Sequence, residues 1–215
     1  VKESVKESMK ESVTASGTAV GPGGTGSRPG VFGRRGFLAG MSISVTTWSL
    51  EQTSPDDLRP AAAPPGEVRI VRAEVPSAEF SRFLYTAVGD DVSWRDRLSL
   101  TREQWQETIA APGVETWVAY ERGTPAGYIE LAAQDGATVE IVYFGLIPAF
   151  RGRRIGGHLL SYGVARAWDL AERWPGTEPT KRVWLHTCSK DGPHAMDNYL
   201  RRGFRLFDTK IEEES

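Results

Sequence analysis

From Glu67 onward apolar positions recur with periods that change along the chain, and each period predicts an element. Val68, Ile70 and Val71 within Glu67–Glu74 predict a strand. Pro76-Ser77 opens a segment with Phe80, Phe83, Leu84 and Val88 spaced by three and four, which predicts a helix. Thr101-Arg102-Glu103-Gln104 has the form of a capping box for a second helix carrying Trp105 and Ile109 and closed by Pro112-Gly113. Three strand-like runs follow, Thr116–Glu121, Ala126–Ala132 and Thr138–Ile147, separated by breakers short enough for an antiparallel meander. Pro148 ends the third run. After a glycine-rich turn, Leu160, Val164, Ala167, Trp168 and Ala171 mark a helix reaching about Arg173. Arg182–Thr187 reads as a strand, Pro193 opens a short helix ended by Gly203, and Phe204–Asp208 closes as a strand. The order is β-α-α-β-β-β-α-β-α-β, an α/β domain over 67–215 with a mixed sheet.

Residues 1–66 read differently. They hold 10 of the 23 glycines and 6 of the 13 prolines but a single tryptophan, Trp48, too little apolar area to offset the entropy of ordering. A disordered, low-complexity tail is expected there, including the Val-Lys-Glu-Ser repeats of residues 1–12, whose lone amphipathic stripe is too short to hold a helix in water. Gly33-Arg34-Arg35-Gly36-Phe37-Leu38-Ala39 resembles a twin-arginine export signal, with a weakly apolar stretch running to Leu50. The favoured reading is upstream sequence, with Met41 opening the protein proper.

The balance of charge narrows the function. With 26 basic and 28 acidic side chains the net charge is −2, which gives no global pull toward nucleic acid or an anionic membrane. No stretch of 18 apolar residues exists to span a bilayer as a helix. The single cysteine, Cys188, excludes an internal disulfide and a multi-cysteine zinc site, and it reads as a small buried residue at a strand end. The three histidines have no metal-ligand spacing, so no metal is expected. His158 and His186 read as structural, whereas His194, beside Pro193, is a candidate for touching substrate or cofactor.

The turn Arg151-Gly152-Arg153-Arg154-Ile155-Gly156-Gly157 lies between a strand and a helix. Successive backbone N–H groups at such a junction point one way, and the helix start adds partial positive charge, so an anion is expected there. No Gly-Lys-Ser/Thr ending marks it as a P-loop, and no aromatic motif marks the arginines as an RNA site.

Val139-Glu140-Ile141-Val142-Tyr143-Phe144-Gly145-Leu146-Ile147-Pro148 followed by Arg151–Leu160 resembles motif A of the GNAT superfamily of acetyl-CoA-dependent N-acetyltransferases. Ala195, Tyr199, Gly203 and Phe204 are similar to that family's second motif. The resemblance covers roughly residues 67–210 and implies a mixed, mostly antiparallel central sheet flanked by helices. It further implies that backbone amides from Arg151, Gly152, Arg153, Arg154, Ile155, Gly156 and Gly157 hold the CoA pyrophosphate. Leu146 and Ile147 would pair with the pantetheine arm in a splay between the strands at 138–147 and 182–187. Arg154 stands where the family carries its inner glycine, and Gly192 where it commonly carries asparagine.

Acetyl transfer to an amine needs a base for the amine, a polarised carbonyl and a proton for the departing thiolate. Glu140, a carboxylate in an otherwise apolar strand, suits the base, as the resemblance also implies; Glu130 on the neighbouring strand is the understudy. A backbone N–H near Phe144 or Gly145 would polarise the carbonyl if the strand splays or bulges. Tyr199, one helical turn beyond Ala195, would donate a proton to the sulfur, the role that the resemblance implies for it. Carboxylates and rings that would bind a cationic acceptor are Tyr85, Asp90, Asp91, Trp94, Trp105 and Glu130.

The expected function is transfer of acetyl from acetyl-CoA to a primary amine of a small molecule or protein. The alternative is a CoA-binding or protein-interaction module of the same fold without catalysis. A cytoplasmic location fits the donor, no nucleic acid or membrane partner is expected, and a homodimer is left open.

Overall fold

A computed structural model of the chain describes residues 43–92 and 94–214. The strands are β1 (Ile43–Gln52), β2 (Val68–Arg72), β3 (Val114–Glu121), β4 (Thr124–Gln134), β5 (Thr138–Leu146), β6 (Arg182–Cys188) and β7 (Arg205–Glu214). They form one sheet in the order β2-β3-β4-β5-β6-β1-β7. The helices are α1 (Ala78–Gly89), α2 (Arg102–Ala110), α3 (Ile155–Trp168), α4 (Leu170–Arg173) and α5 (Ala195–Arg201). From β2 onward the order is the expected one; β2–β3, β3–β4, β4–β5 and β1–β6 pair antiparallel and β5–β6 parallel.

Local chemistry sets the element ends. The Ser77 hydroxyl accepts the Phe80 N–H to start α1, and Thr101 and Gln104 form the reciprocal capping box that starts α2. Arg122 and Gly123, at φ 49° and 89°, make the two-residue turn that joins β3 to β4. The helix expected to reach Arg173 is divided at Asp169, whose carboxylate takes both Arg166 and Arg173.

The tail expected over 1–66 does not extend that far. Thr47–Gln52 of β1 pair antiparallel with Cys188–Val183 of β6, and Leu50 and Gln52 are fully buried. The Gln52 amide donates to the Arg202 carbonyl and accepts from Trp168 Nε1. The stretch from Ser44 to Leu50 is β-branched and alternating, but its apolar density is low. Its burial comes from a partner strand some 130 residues later, so composition alone reads it as tail. The repeats of residues 1–12 and the twin-arginine-like segment lie outside the described residues.

Sheet faces divide the chemistry. Ile129, Leu131, Val139, Ile141, Val183 and Leu185 pack with Leu159, Leu160 and Val164 of α3 on one face, and Tyr199 of α5 joins that core. Alternation puts Tyr128, Glu130 and Glu140 on the opposite face, the side that α1 and α2 cover over β3–β5. Among the described residues no helix is long and apolar enough to cross a membrane.

Candidate functional site

β5 and β6 are paired only from Thr138/Arg182 to Ile141/Leu185, after which they diverge. A bulge at Val142 shifts the β4–β5 register, so Glu130 faces Tyr143 and Leu131 faces Ile141. The Ile147 N–H donates to Ala126 O at 2.9 Å. Antiparallel parity therefore turns the backbone groups of Phe144 and Leu146 away from β4 and into the β5–β6 gap. The expected splay is present, with a division of labour the sequence did not show. Phe144 and Leu146 present backbone to the gap, while the Ile147 N–H is committed to β4. Gly145, like Ile147, is directed toward β4.

The turn after β5 is held by its own arginines. Arg151 Nε and Nη2 both donate to Leu146 O at 3.1 Å, and its guanidinium pairs with Asp91. Arg153 Nη2 meets Glu121 Oε1 at 2.6 Å. Two of the three arginines thus serve the turn rather than project charge into it. Arg154 adopts the left-handed conformation (φ 65°, ψ 3°) that a glycine takes without strain, so the departure from the family pattern leaves the turn available. It is the N-cap residue of α3 yet makes no side-chain cap, as a donor-only side chain cannot, and no hydrogen bond from a side chain to the first-turn N–H groups occurs among the described residues.

A β-carbon on Gly156 would meet Leu146 Cδ1 at 3.5 Å, an ordinary contact, and its φ is unexceptional. Among the described residues nothing requires glycine at that position. A helix start beside an open gap is a geometry in which a phosphate group can approach the backbone closely.

Two side chains lie on opposite faces of the sheet near the gap, Tyr199 against Phe144 of the unpaired stretch of β5 and Glu140 within the paired stretch, opposite Trp184. Tyr199 is 7% exposed, its ring 6.1 Å from that of Phe144 and 6.3 Å from that of Phe204. Burial, with a smaller contribution from the Asp191 carboxylate, pushes its hydroxyl well above the usual phenol range, so it stays protonated. Glu140 is 1% exposed on the other face. Gln134 Nε2 donates to Glu140 Oε2 at 2.6 Å, Trp184 Nε1 donates to Gln134 Oε1 at 2.9 Å, and His186 Nδ1 lies 3.5 Å from Glu140 Oε1. Gln134 gives no sign in the sequence, and His186 reads there as structural. His186 lies two residues beyond Trp184 on β6, and Trp184 is paired with Glu140; only the β5–β6 register brings them together.

The candidate acceptor residues gather under α1 and α2. Tyr85 meets Trp94, Trp105 and Tyr143 at ring distances of 5.5, 5.4 and 5.2 Å, and Trp105 Nε1 donates to Ser81 Oγ. Glu130 is held in a bidentate pair by Arg97, at 2.9 and 2.6 Å, and the two are 1% and 5% exposed. With both oxygens engaged, Glu130 is not placed to act as the spare base. The Arg97 guanidinium also lies 4.5 Å over the Tyr143 ring. Asp96 accepts from the Tyr85 hydroxyl at 2.8 Å and from the Tyr143 hydroxyl, and it is solvent-exposed. Asp96 and Arg97 were missed because they fall in an aperiodic loop. Asp90 and Asp91 end up at the close of α1, with Asp91 on Arg151. His194 is exposed at the start of α5, and Cys188 is half-buried at the end of β6.

A profile of the acetyltransferase (GNAT) family matches residues 79–204. A solved GCN5-related N-acetyltransferase from Kribbella flavida is 18% identical over 77% of this chain and 56% of its own, with a TM-score of 0.54. One from Sphaerobacter thermophilus is 19% identical over 80% of this chain and 53% of its own, with a TM-score of 0.52. At these identities the likeness is one of fold, and the chain spans about half the length of those solved proteins. No curated protein matches.

Proposed function

Because the chain belongs to the acetyltransferase (GNAT) family, we propose that it transfers an acetyl group from acetyl-CoA to a primary amine. The observation that carries this reading is the divergence of β5 and β6 beside the start of α3, with Tyr199 against the unpaired stretch of β5 on one face of the sheet and Glu140 buried near its beginning on the other. The backbone amides from Gly152 to Gly157 receive the donor's diphosphate, the Arg151 N–H being donated to Pro148 O, and Phe144 offers its backbone and Leu146 its N–H to the arm. The Phe144 N–H, directed into the gap, polarises the thioester carbonyl.

Glu140 takes a proton from the amine, directly or through water, as nitrogen attacks the acetyl carbon. Tyr199 gives its proton to the sulfur as the carbon–sulfur bond breaks, and the two side chains are reset from solvent. His186 and Gln134 hold the Glu140 carboxyl. On the acceptor side, Asp96 at the solvent end of the Tyr85–Tyr143–Trp94 cluster attracts a cationic amine. Acetyl-CoA as donor supports a cytoplasmic location, and the pairing of β1 with β6 supports a catalytic body that includes β1.

The test is thiol release from acetyl-CoA with a panel of amines, alongside calorimetry of donor binding. Acceptor-dependent release that Gly156→Asp abolishes through lost donor affinity supports the reading. Tight donor binding without release under any amine would make the protein a CoA-binding module instead, and unchanged affinity in folded Gly156→Asp would remove the turn from the site.

A further inference from the structure

The deeply buried arginine of the acceptor side has its carboxylate: Arg97 has Glu130. Arg173, on the other face, has Glu115 and Asp169. Next to Arg202 in sequence, Arg201 pairs with Asp197, and nearby Arg205 pairs with Asp57. Arg202 is the exception. It is half-buried at the end of α5, its Nε is buried with no hydrogen-bond partner, and no carboxylate among the described residues lies within ion-pair reach of it. Its main chain is fully used: the carbonyl accepts from Arg59 N–H and Gln52 Nε2, and the N–H is donated to α5. The main chain is therefore fixed, and the side chain is left without a counter-charge. Burial, and the neighbouring Arg201, disfavour its charge. A guanidinium nonetheless keeps its proton at neutral pH, so the unpaired charge is a standing cost.

Where this charge points is set by a missing side chain. A β-carbon on Gly157 would stand 2.6 Å from Arg202 Nη1. Glycine there lets the guanidinium lie against the first turn of α3, beside amides that no side chain caps. A helix start and a guanidinium are both positive, so their approach is unfavourable until an anion lies between them. The turn's own Arg151 and Arg153 are neutralised by Asp91 and Glu121.

We propose that Arg202 grips the diphosphate of acetyl-CoA from the α5 side, supplying the side-chain charge of a site whose other half is the backbone of the α3 turn. The proposal rests on the reading that this turn holds the donor's diphosphate. Gly157 leaves room both for the guanidinium and for the Ala61 β-carbon, which a side chain there would meet at 3.1 Å.

Arg202→Met keeps length and removes charge. Calorimetry is run on the parent, Arg202→Met, Arg202→Lys and Gly156→Asp with acetyl-CoA and with 3′-dephospho-acetyl-CoA, with melting curves with and without donor. Arg202→Met is expected to bind both donors about 10- to 100-fold more weakly, the range for a charge-assisted hydrogen bond. Its KM for acetyl-CoA should rise with kcat little changed, and its ligand-free melting temperature should hold or rise as an uncompensated charge disappears. Arg202→Lys should fall between parent and Arg202→Met. Equal affinity of parent and folded Arg202→Met, with Gly156→Asp weakened, overturns this proposal alone. A loss seen only with the donor bearing a 3′-phosphate also overturns it, moving Arg202 to that phosphate. Failure of the parent, or indifference of Gly156→Asp, would sink the underlying reading of the turn instead.

Discussion

Tyr199 of α5 meets Phe144 of β5 edge to face, ring centroids 6.1 Å apart at 62°. Phe144 lies in the stretch of β5 that β6 no longer pairs, so this contact sets the phenol at the opening between the strands. Tyr199→Phe keeps both ring contacts and deletes only the hydroxyl. Turnover is expected to fall on the order of ten- to a thousand-fold with little change in melting temperature. Parent-like turnover under conditions where chemistry limits the rate would end the general-acid assignment.

Glu140→Gln should lower kcat by about 100-fold, within the usual range for general-base removal, while donor affinity stays within error of the parent. Stopped-flow thiol release and calorimetry on the same sample separate the two. If His186 positions Glu140, His186→Ala lowers kcat less and leaves KM for acetyl-CoA alone. A mutant that loses donor binding instead would mark Glu140 as part of the sheet rather than the chemistry.

Arg154 carries the cost of a left-handed backbone, about 1–2 kcal/mol for a residue with a β-carbon. Arg154→Gly relieves it but frees the unfolded chain, an opposing effect of about 0.4–1 kcal/mol. A net gain of about 0.5–1 kcal/mol in chemical denaturation is expected, and a clear loss would mean the arginine side chain holds the turn.

Arg97→Met leaves the Glu130 carboxylate buried without its partner and should cost about 3–5 kcal/mol. Adding Glu130→Leu removes the stranded charge, so the double variant should regain most of that stability. If the single variant unfolds at the parental denaturant midpoint, the pair contributes nothing to the fold.

Glu115, with its side chain fully buried, is drawn upward by burial but more strongly downward by Arg173, Trp117 and Trp174, which leaves its carboxyl below the usual range. The unfolded state therefore binds the proton first as pH falls, and Glu115 contributes stability present above about pH 4.3 and lost as pH drops through its folded value. Denaturation midpoints measured from about pH 5 down to about pH 3 should fall less steeply in Glu115→Gln than in the parent. Parallel slopes would show that other carboxylates govern the acid limb.

What could be read from the sequence was what neighbours in sequence decide. The periods of α1 to β5, the capping box at Thr101, the turn at Arg151–Gly157 and the Ala195/Tyr199 spacing are local, set by backbone geometry within a few residues. They were enough for the fold and for placing that turn at the start of α3. Tertiary structure alone decided the rest, because each remaining feature joins residues far apart in the chain. β1 becomes a strand only when β6 supplies its pairing, so a stretch of modest apolar density looked like tail. Glu130 loses its freedom only to Arg97 from an aperiodic loop, and Glu140 gains Gln134 and His186 only through the β4–β5–β6 register. Arg202 reaches Gly157 only because α5 packs beside the start of α3. Hydrophobic periodicity records which face of an element is buried, but not which charge a buried neighbour will bring to it, and that pairing sorts the carboxylates and arginines of this protein into structural and chemical roles.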